Sequence, residues 1–301
     1  FMILAVLAVA VWAVPLTRAS ATQADESVSG TGQALLAKHA TLTTDLEKNQ
    51  FGMPLYLESI EESGSMSVDV FGILDSPFAL VRDSLQTPDN WCDINLMLLN
   101  VKACTFRQAS DQWVLTLYSG RKYYQAPKDA FELELNFQVT AMHKHYMSIE
   151  LAGAAGPLGT RDHRISFEAA PLDKDRTFIH FRYDYRFGAL ARTAMVSYYA
   201  TIGRNKKGFS ADDIDAQGNP VYVDGARGSL ERTVVRSYFA IQTFMDELET
   251  PDSQRFERQI QHWFDLTARF PRQLHEMDKG QYLANKRREH ANQLRLQKAL
   301  N

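Results

Sequence analysis

Three stretches of this chain carry residue types that can do chemistry. From Thr177 to Phe187, Ile179, Phe181, Tyr183, Tyr185 and Phe187 alternate with His180, Arg182, Asp184 and Arg186. A strand sends successive side chains to opposite faces, so one face is aromatic and the other charged. Facing a cavity, Arg182, Asp184 and Arg186 would orient a polar head group or serve in acid/base chemistry. Facing solvent, they form a cross-strand charge ladder. The solvent face is the expected one, with Phe181, Tyr183 and Tyr185 pointing inward. The second stretch, His143-Lys144-His145, would set two imidazoles on one side of a strand, a geometry that can bind metal. No third ligand stands nearby, so no metal site is assigned. The third, Gly30-Thr31-Gly32, precedes a helical pattern, but no strand leads into it and no third glycine follows, so it is not read as a nucleotide loop. No G-x-S-x-G, H-E-x-x-H or C-x-x-C occurs, and no spacing of Ser, His and Asp picks out a triad. No catalytic residue is assigned and no cofactor is expected.

The chain has two cysteines, Cys92 and Cys104. In an oxidising compartment such a pair is expected to be bridged; the alternative is two buried thiols. On the chain-entropy view, so short a closed loop would stabilise the fold by roughly 3 kcal/mol. Net charge is −3, which argues against a nucleic-acid partner, because neutralising phosphates takes an excess of Lys and Arg. Apolar residues make up 45% of the chain and charged ones 23%, enough for a real core. Met2 to Ala21 is an apolar run broken by Pro15 and closed by Ala19-Ser20-Ala21, the pattern of a cleavable signal peptide. Retention as an anchor is the alternative. The expected location is the periplasm, or export otherwise.

The elements that must position these residues follow from periodicity. Gln33 to Asn49 has helical spacing through Leu35, Leu36, Leu42 and Leu46. Leu55–Glu62 and Met66–Leu74 read as strands around Ser63-Gly64-Ser65. Asp75-Ser76-Pro77 opens a short helix, with Ser76 as its cap and Pro77 in the first turn. Thr87-Pro88-Asp89-Asn90 ends that helix. Strands are then expected over Asn95–Arg107, Gln112–Ser119, Phe131–Leu151, Arg161–Ala170 and Thr177–Phe187. The segment 193–203 reads as a last strand or a helix. Ser229–Leu248, Ser253–Phe270 and Asp278–Leu300 are helical. The last is basic through Lys286, Arg287, Arg288, Arg295 and Lys298.

Asp75-Ser76-Pro77-Phe78-Ala79-Leu80-Val81, Thr87-Pro88-Asp89-Asn90-Trp91, and a strand run closed by a long helix from Gly228 to Leu248 together resemble the START-like, or SRPBCC, superfamily with its helix-grip, Bet v 1-like fold. The resemblance identifies an exported bacterial member and spans Leu55 to Leu248. It implies an α+β fold with a curved antiparallel sheet wrapped around a long C-terminal helix. The expected division is a signal peptide over 1–21, an N-terminal helix and linker over 22–52, a helix-grip domain over 53–250, and a helical extension over 251–301. The implied function is binding or transport of a lipid or sterol-like molecule between sheet and helix. Phe181, Tyr183 and Tyr185 from the sheet and Tyr238 and Phe239 from the helix are the candidate ligand-binding residues. Two alternatives stand beside it. One is a cyclase- or hydratase-type enzyme, favoured if His163, His180 or Asp184 faces the cavity. The other is a structural envelope protein whose basic tail contacts a membrane surface or a protein.

Overall fold

The computed structural model describes residues 20–189, 191–193, 196 and 206–300. The expected signal peptide lies outside the described residues apart from its last two positions, and so does most of 193–203. No helix among the described residues is long and apolar enough to cross a membrane.

Eight strands build one antiparallel sheet. They are β1 (Leu55–Glu62), β2 (Ser65–Leu74), β3 (Val101–Ala109), β4 (Gln112–Ser119), β5 (Phe131–His143), β6 (Tyr146–Ala155), β7 (Thr160–Pro171) and β8 (Thr177–Phe187), in the order β1-β2-β8-β7-β6-β5-β4-β3. Register breaks in β3, β5 and β7 bend the sheet, as bulges do. One long helix, α4 (Gly225–Asp246 — α1 to α3 are given below), closes the concave face. This is the helix-grip arrangement that the resemblance implied.

Two local expectations are corrected. A single strand from 131 to 151 would be about 70 Å long, far beyond its neighbours. The chain instead turns back at Lys144-His145, so His143 ends β5 and His145 sits in the turn, its amide donating to His143 Nδ1 at 3.3 Å. Among the described residues no group of three metal-ligating side chains forms. Pro88, taken as a stop, opens a helix instead. After α2 (Phe78–Leu85) comes α3 (Pro88–Leu96), with Thr87 extended and Pro88 in the first turn, where its missing N–H costs nothing. β3 therefore starts only at Val101. Ser76 does not cap α2, because Pro77 occupies the cap position.

Cys92 on α3 is bonded to Cys104 on β3, with Cα atoms 5.0 Å apart. The outer face of the sheet is covered by α1 (Ser20–Glu47), whose Leu35, Leu42 and Leu46 pack on Phe71, Tyr146 and Phe178. Beneath it His180 bridges Asp69 at 2.7 Å and Glu168 at 2.8 Å, and Phe71 stacks on its ring. Burial opposes the imidazolium, but the two carboxylates outweigh it and raise the His180 pKa.

After α4 the chain continues through α5 (Asp252–Ala268), α6 (Pro271–Leu274) and α7 (Lys279–Leu300). Residues beyond 250 share one core with the sheet: Ile260, Trp263 and Tyr282 join Val68 and Leu135 in a single cluster. Helix α7 covers the edge strand β3 with polar side chains. Gln293 Oε1 accepts from the Cys104 amide at 2.8 Å, and Gln297 exchanges two 2.9 Å bonds with the Phe106 backbone. An open sheet edge is thereby satisfied without a further strand. Carbonyls along the connection from the end of α3 to the start of β3 accept from three side chains. Tyr282 reaches Met97 O, Lys286 reaches Leu98 O and Val101 O, and Lys102 reaches Leu99 O. Glu289, fully buried, lies 2.8 Å from Lys102 Nζ and 2.7 Å from Lys286 Nζ. Burial lowers Lys286 to about 8 even so. The basic tail is therefore not a uniformly solvated face: Arg287 pairs with Glu257, and Arg288 lies 3.5 Å over the Tyr124 ring.

Removing Glu289 leaves two buried ammonium groups with no counter-charge. Glu289→Ala is expected to cost about 3–5 kcal/mol of stability, the range for breaking a buried pair from one side. Urea unfolding checks this; a loss within a few tenths of a kcal/mol would contradict it.

Candidate ligand cavity

Helix α4 meets the sheet at one place in particular. On β2, Met66, Val68, Val70, Gly72 and Leu74 face the helix, and a Cβ at Gly72 would sit 2.4 Å from the Tyr238 ring. The ring occupies the room that a side chain there would take. Helix α4 is thereby pressed onto the β1-β2 side. A cavity of about 990 Å³ remains between the rest of the concave face and the helices.

The sheet floor of this cavity is apolar. Leu117 of β4 stands opposite Leu133 of β5, and Leu151, Ile165 and Tyr183 form a direct cross-strand row over β6, β7 and β8. Phe181 and Tyr185 continue the aromatic face. Thus Phe181, Tyr183 and Tyr185 all line the cavity. Tyr238 and Phe239 do not: Tyr238 fills the Gly72 slot, and Phe239 turns away to stack on Phe270 at 5.7 Å. The helix contributes Leu230, Thr233, Ser237 and Ile241 instead. The charged residues of β8 lie on the other face, where Arg182 pairs with Asp69 at 2.7 Å. His180 and Asp184 share that outer face.

His163 is the one titratable group of the alternative set that lines the cavity. It is 4% exposed, and the close turn before it makes its room: a Cβ at Gly156 would fall 2.0 Å from its Nε2. Its tautomer follows from its partners. The Thr160 hydroxyl donates to Pro157 O at 2.7 Å, so His163 Nε2 must donate to Thr160 Oγ1 at 3.0 Å. Nδ1 then accepts from the Tyr183 hydroxyl at 2.8 Å. Burial lowers the His163 pKa, so the ring is neutral at neutral pH. Burial, with Tyr185 and Asp184 nearby, raises that of Tyr183. The pair is a polar, uncharged spot in an oily wall.

The other end of the cavity is cationic. Arg121, Lys122, Lys206 and Arg232 line it, against the single carboxylate of Glu276. Glu276 lies 2.5 Å from Lys122, 2.8 Å from Lys206 and 3.2 Å from Arg236, which stands just behind the wall. Burial would raise the Glu276 carboxyl, but hydrogen bonds from Lys122 and Lys206, with the Lys122 and Arg236 charges, hold it at about 2. Burial lowers Lys122 to about 8 against the pull of Glu276. Lys206 belongs to the segment before α4, which Glu231 anchors by accepting from the Phe209 and Ser210 amides at 2.6 and 2.9 Å. That segment carries a small hairpin, β9 (Ala211–Ile214) with β10 (Pro220–Tyr222).

None of these cations was a candidate from sequence. They come from the residues after β4, the segment before α4, and α4 itself, Glu276 follows α6, and no spacing links them. Exposed Tyr123 and Leu158 mark the rim.

No protein-family model matches the chain, and no curated protein matches it in sequence. Among solved structures, a conserved protein from Geobacillus kaustophilus is 14% identical, with a TM-score of 0.32 over 61% of this chain and 94% of that one. The Zhui aromatase/cyclase from Streptomyces sp. R1128 is 13% identical, with a TM-score of 0.37 over 60% and 91%. Human StAR-related lipid transfer protein 5 is 12% identical, with a TM-score of 0.37 over 74% and 99%. At such low identity and overlap, none of their activities transfers to this chain.

The Glu276 cluster makes a prediction about acid stability. Its folded pKa of about 2 lies below its ordinary 4.5. Its stabilisation is therefore complete above about pH 4.5 and lost as pH falls towards 2. Asp69 and Glu168 are also lowered, by the His180 hydrogen bonds among other partners, and add to the loss of stability in acid. In Glu276→Gln, stability measured by urea unfolding from pH 5 to 2.5 should fall less steeply than in the parent. An unchanged slope would contradict the assignment.

Proposed function

We propose that the protein binds a hydrophobic small molecule, a lipid or sterol-like compound, between its sheet and α4, and does so as an exported, periplasmic binding or transport protein. The observation that carries this reading is the cavity itself. Its 990 Å³ stands at the upper end of the roughly 300–1,000 Å³ usual for ligand sites. A packed interior leaves few voids larger than a water molecule. Apolar burial would supply the affinity, at about 25 cal/mol per Å² covered. Phe181, Tyr183 and Tyr185 would contact the guest from the sheet, and Leu230 and Ile241 from the helix. The disulfide between Cys92 and Cys104 supports the exported location, since such bonds persist in oxidising compartments.

Organic extraction of protein purified without unfolding, followed by mass spectrometry, should recover an apolar compound in a fixed ratio to the chain. Leu230→Trp places bulk in the void, as does Thr233→Phe on the same helix face. Both should fold with a thermal midpoint near that of the parent and lose the guest. Recovery of nothing from the parent, or equal recovery from both filled variants, would overturn the reading.

The His163–Tyr183 pair favours a second reading, acid/base chemistry on the bound guest. With Nδ1 accepting, the hydroxyl oxygen of Tyr183 can take a proton only if it passes its own to His163. If the cavity is catalytic, the guest recovered from His163→Gln should be a different compound from that recovered from the parent, by mass for a hydration and by chromatographic retention for an isomerisation. The same compound in both supports binding alone.

A further inference from the structure

Resting on the binding reading, the charge at one end of the cavity points to the kind of guest. The chain carries a net charge of −3, yet the described residues lining its cavity include Arg121, Lys122, Lys206 and Arg232 with one carboxylate, Glu276; Arg232 also donates to Lys207 O at 3.0 Å. One carboxylate neutralises one of the three cations that touch it. The excess positive charge around Glu276 is held in a partly desolvated wall, where charge not balanced by a counter-charge is costly. Lys122 and Lys206 line the cavity and each keep about a third of their side-chain surface open. An ammonium has three donors; Glu276 takes one from each, and His275 O takes a second from Lys206 at 3.3 Å, so each keeps at least one. From this end the floor runs through Leu117, Leu133, Leu151 and Ile165 to Tyr183. Four strand spacings separate β4 from β8, about 19 Å along the sheet. A cationic pocket thus opens into an elongated apolar one.

We infer that the guest is an anionic amphiphile, with a carboxylate or phosphate head held by Lys122, Lys206 and Arg232 and an apolar body lying across β5, β6 and β7. The head completes the charge balance that Glu276 begins. Glu276 and the anchored 206–210 segment position the two lysines. A sterol or neutral lipid lacks the group that this end recognises. The carboxylate and phosphate forms differ in source, a free acid in one case and a phospholipid or lysophospholipid in the other, and share the same recognition.

The test compares three probes with one tail: dodecanoate, dodecyl phosphate and dodecanol, titrated calorimetrically below their micelle concentrations into the folded, delipidated full chain. At least one of the two anions should bind about tenfold or more tightly than the alcohol, the range expected for one or two hydrogen bonds to a charged group. Which anion is preferred identifies the source. Lys206→Gln, and separately Lys122→Gln, should shrink the preference over dodecanol to about threefold or less while leaving dodecanol affinity in place. Lys174→Gln, in an exposed turn outside the cavity, should leave the preference intact. A merely structural role for the lysines would change the unfolding midpoint and not the head-group preference. Equal binding of all three probes overturns this inference and leaves the cavity reading standing. Binding of none overturns both.

Discussion

The structure depends on a mismatch of widths. Eight strands at ~4.8 Å spacing span about 34 Å, and one helix is about 10 Å across. A single closing helix cannot cover such a sheet, so where it lands decides where space is left. Tyr238 settles this: its ring lies in the side-chain space missing at Gly72, and α4 is held over the β1-β2 side. Trp91 of α3, packed edge-on against Phe167 at 5.8 Å, holds part of the remainder. The cavity is what neither helix reaches.

The C-terminal helix has a separate duty. A long exposed β3 would offer its backbone to any neighbouring strand. Glutamines 293 and 297 pair with that backbone, and the Lys102–Glu289–Lys286 group sits one turn before them. The same helix therefore blocks the edge, holds the connection from α3 to β3 and supports the β3-β4 side of the cavity floor. Lys286, 1% exposed, is not available to a membrane surface or a protein partner.

Much of the cavity floor was legible in the sequence. The alternation from Phe181 to Phe187 is a period-two signal, and its phase placed Tyr183 and Tyr185 on the concave face with Arg182 and Asp184 outside. The helix face was not legible. Leu230, Tyr238 and Ile241 share a helical stripe, but which of them meets the void depends on a glycine on another element. The β5-β6 turn was missed because Lys144-His145 lacks the Gly or Asn that marks most tight hairpins. Pro88 misled because proline both ends one helix and begins the next. The cationic end was invisible for a deeper reason: Lys122, Lys206, Arg232 and Glu276 lie far apart in the chain and meet only once the sheet has curved and α4 has docked.

The central claim is that the space between Ile165 and Tyr183 on one side and Leu230 and Ile241 on the other is occupied by a guest and not by the protein. A crystal structure of protein purified from its own source, never unfolded or extracted with solvent, tests this most directly. The account predicts elongated density along that row, with its polar end at Lys122 and Lys206. Aromatic side chains folded into the space, with no density between them, would contradict it.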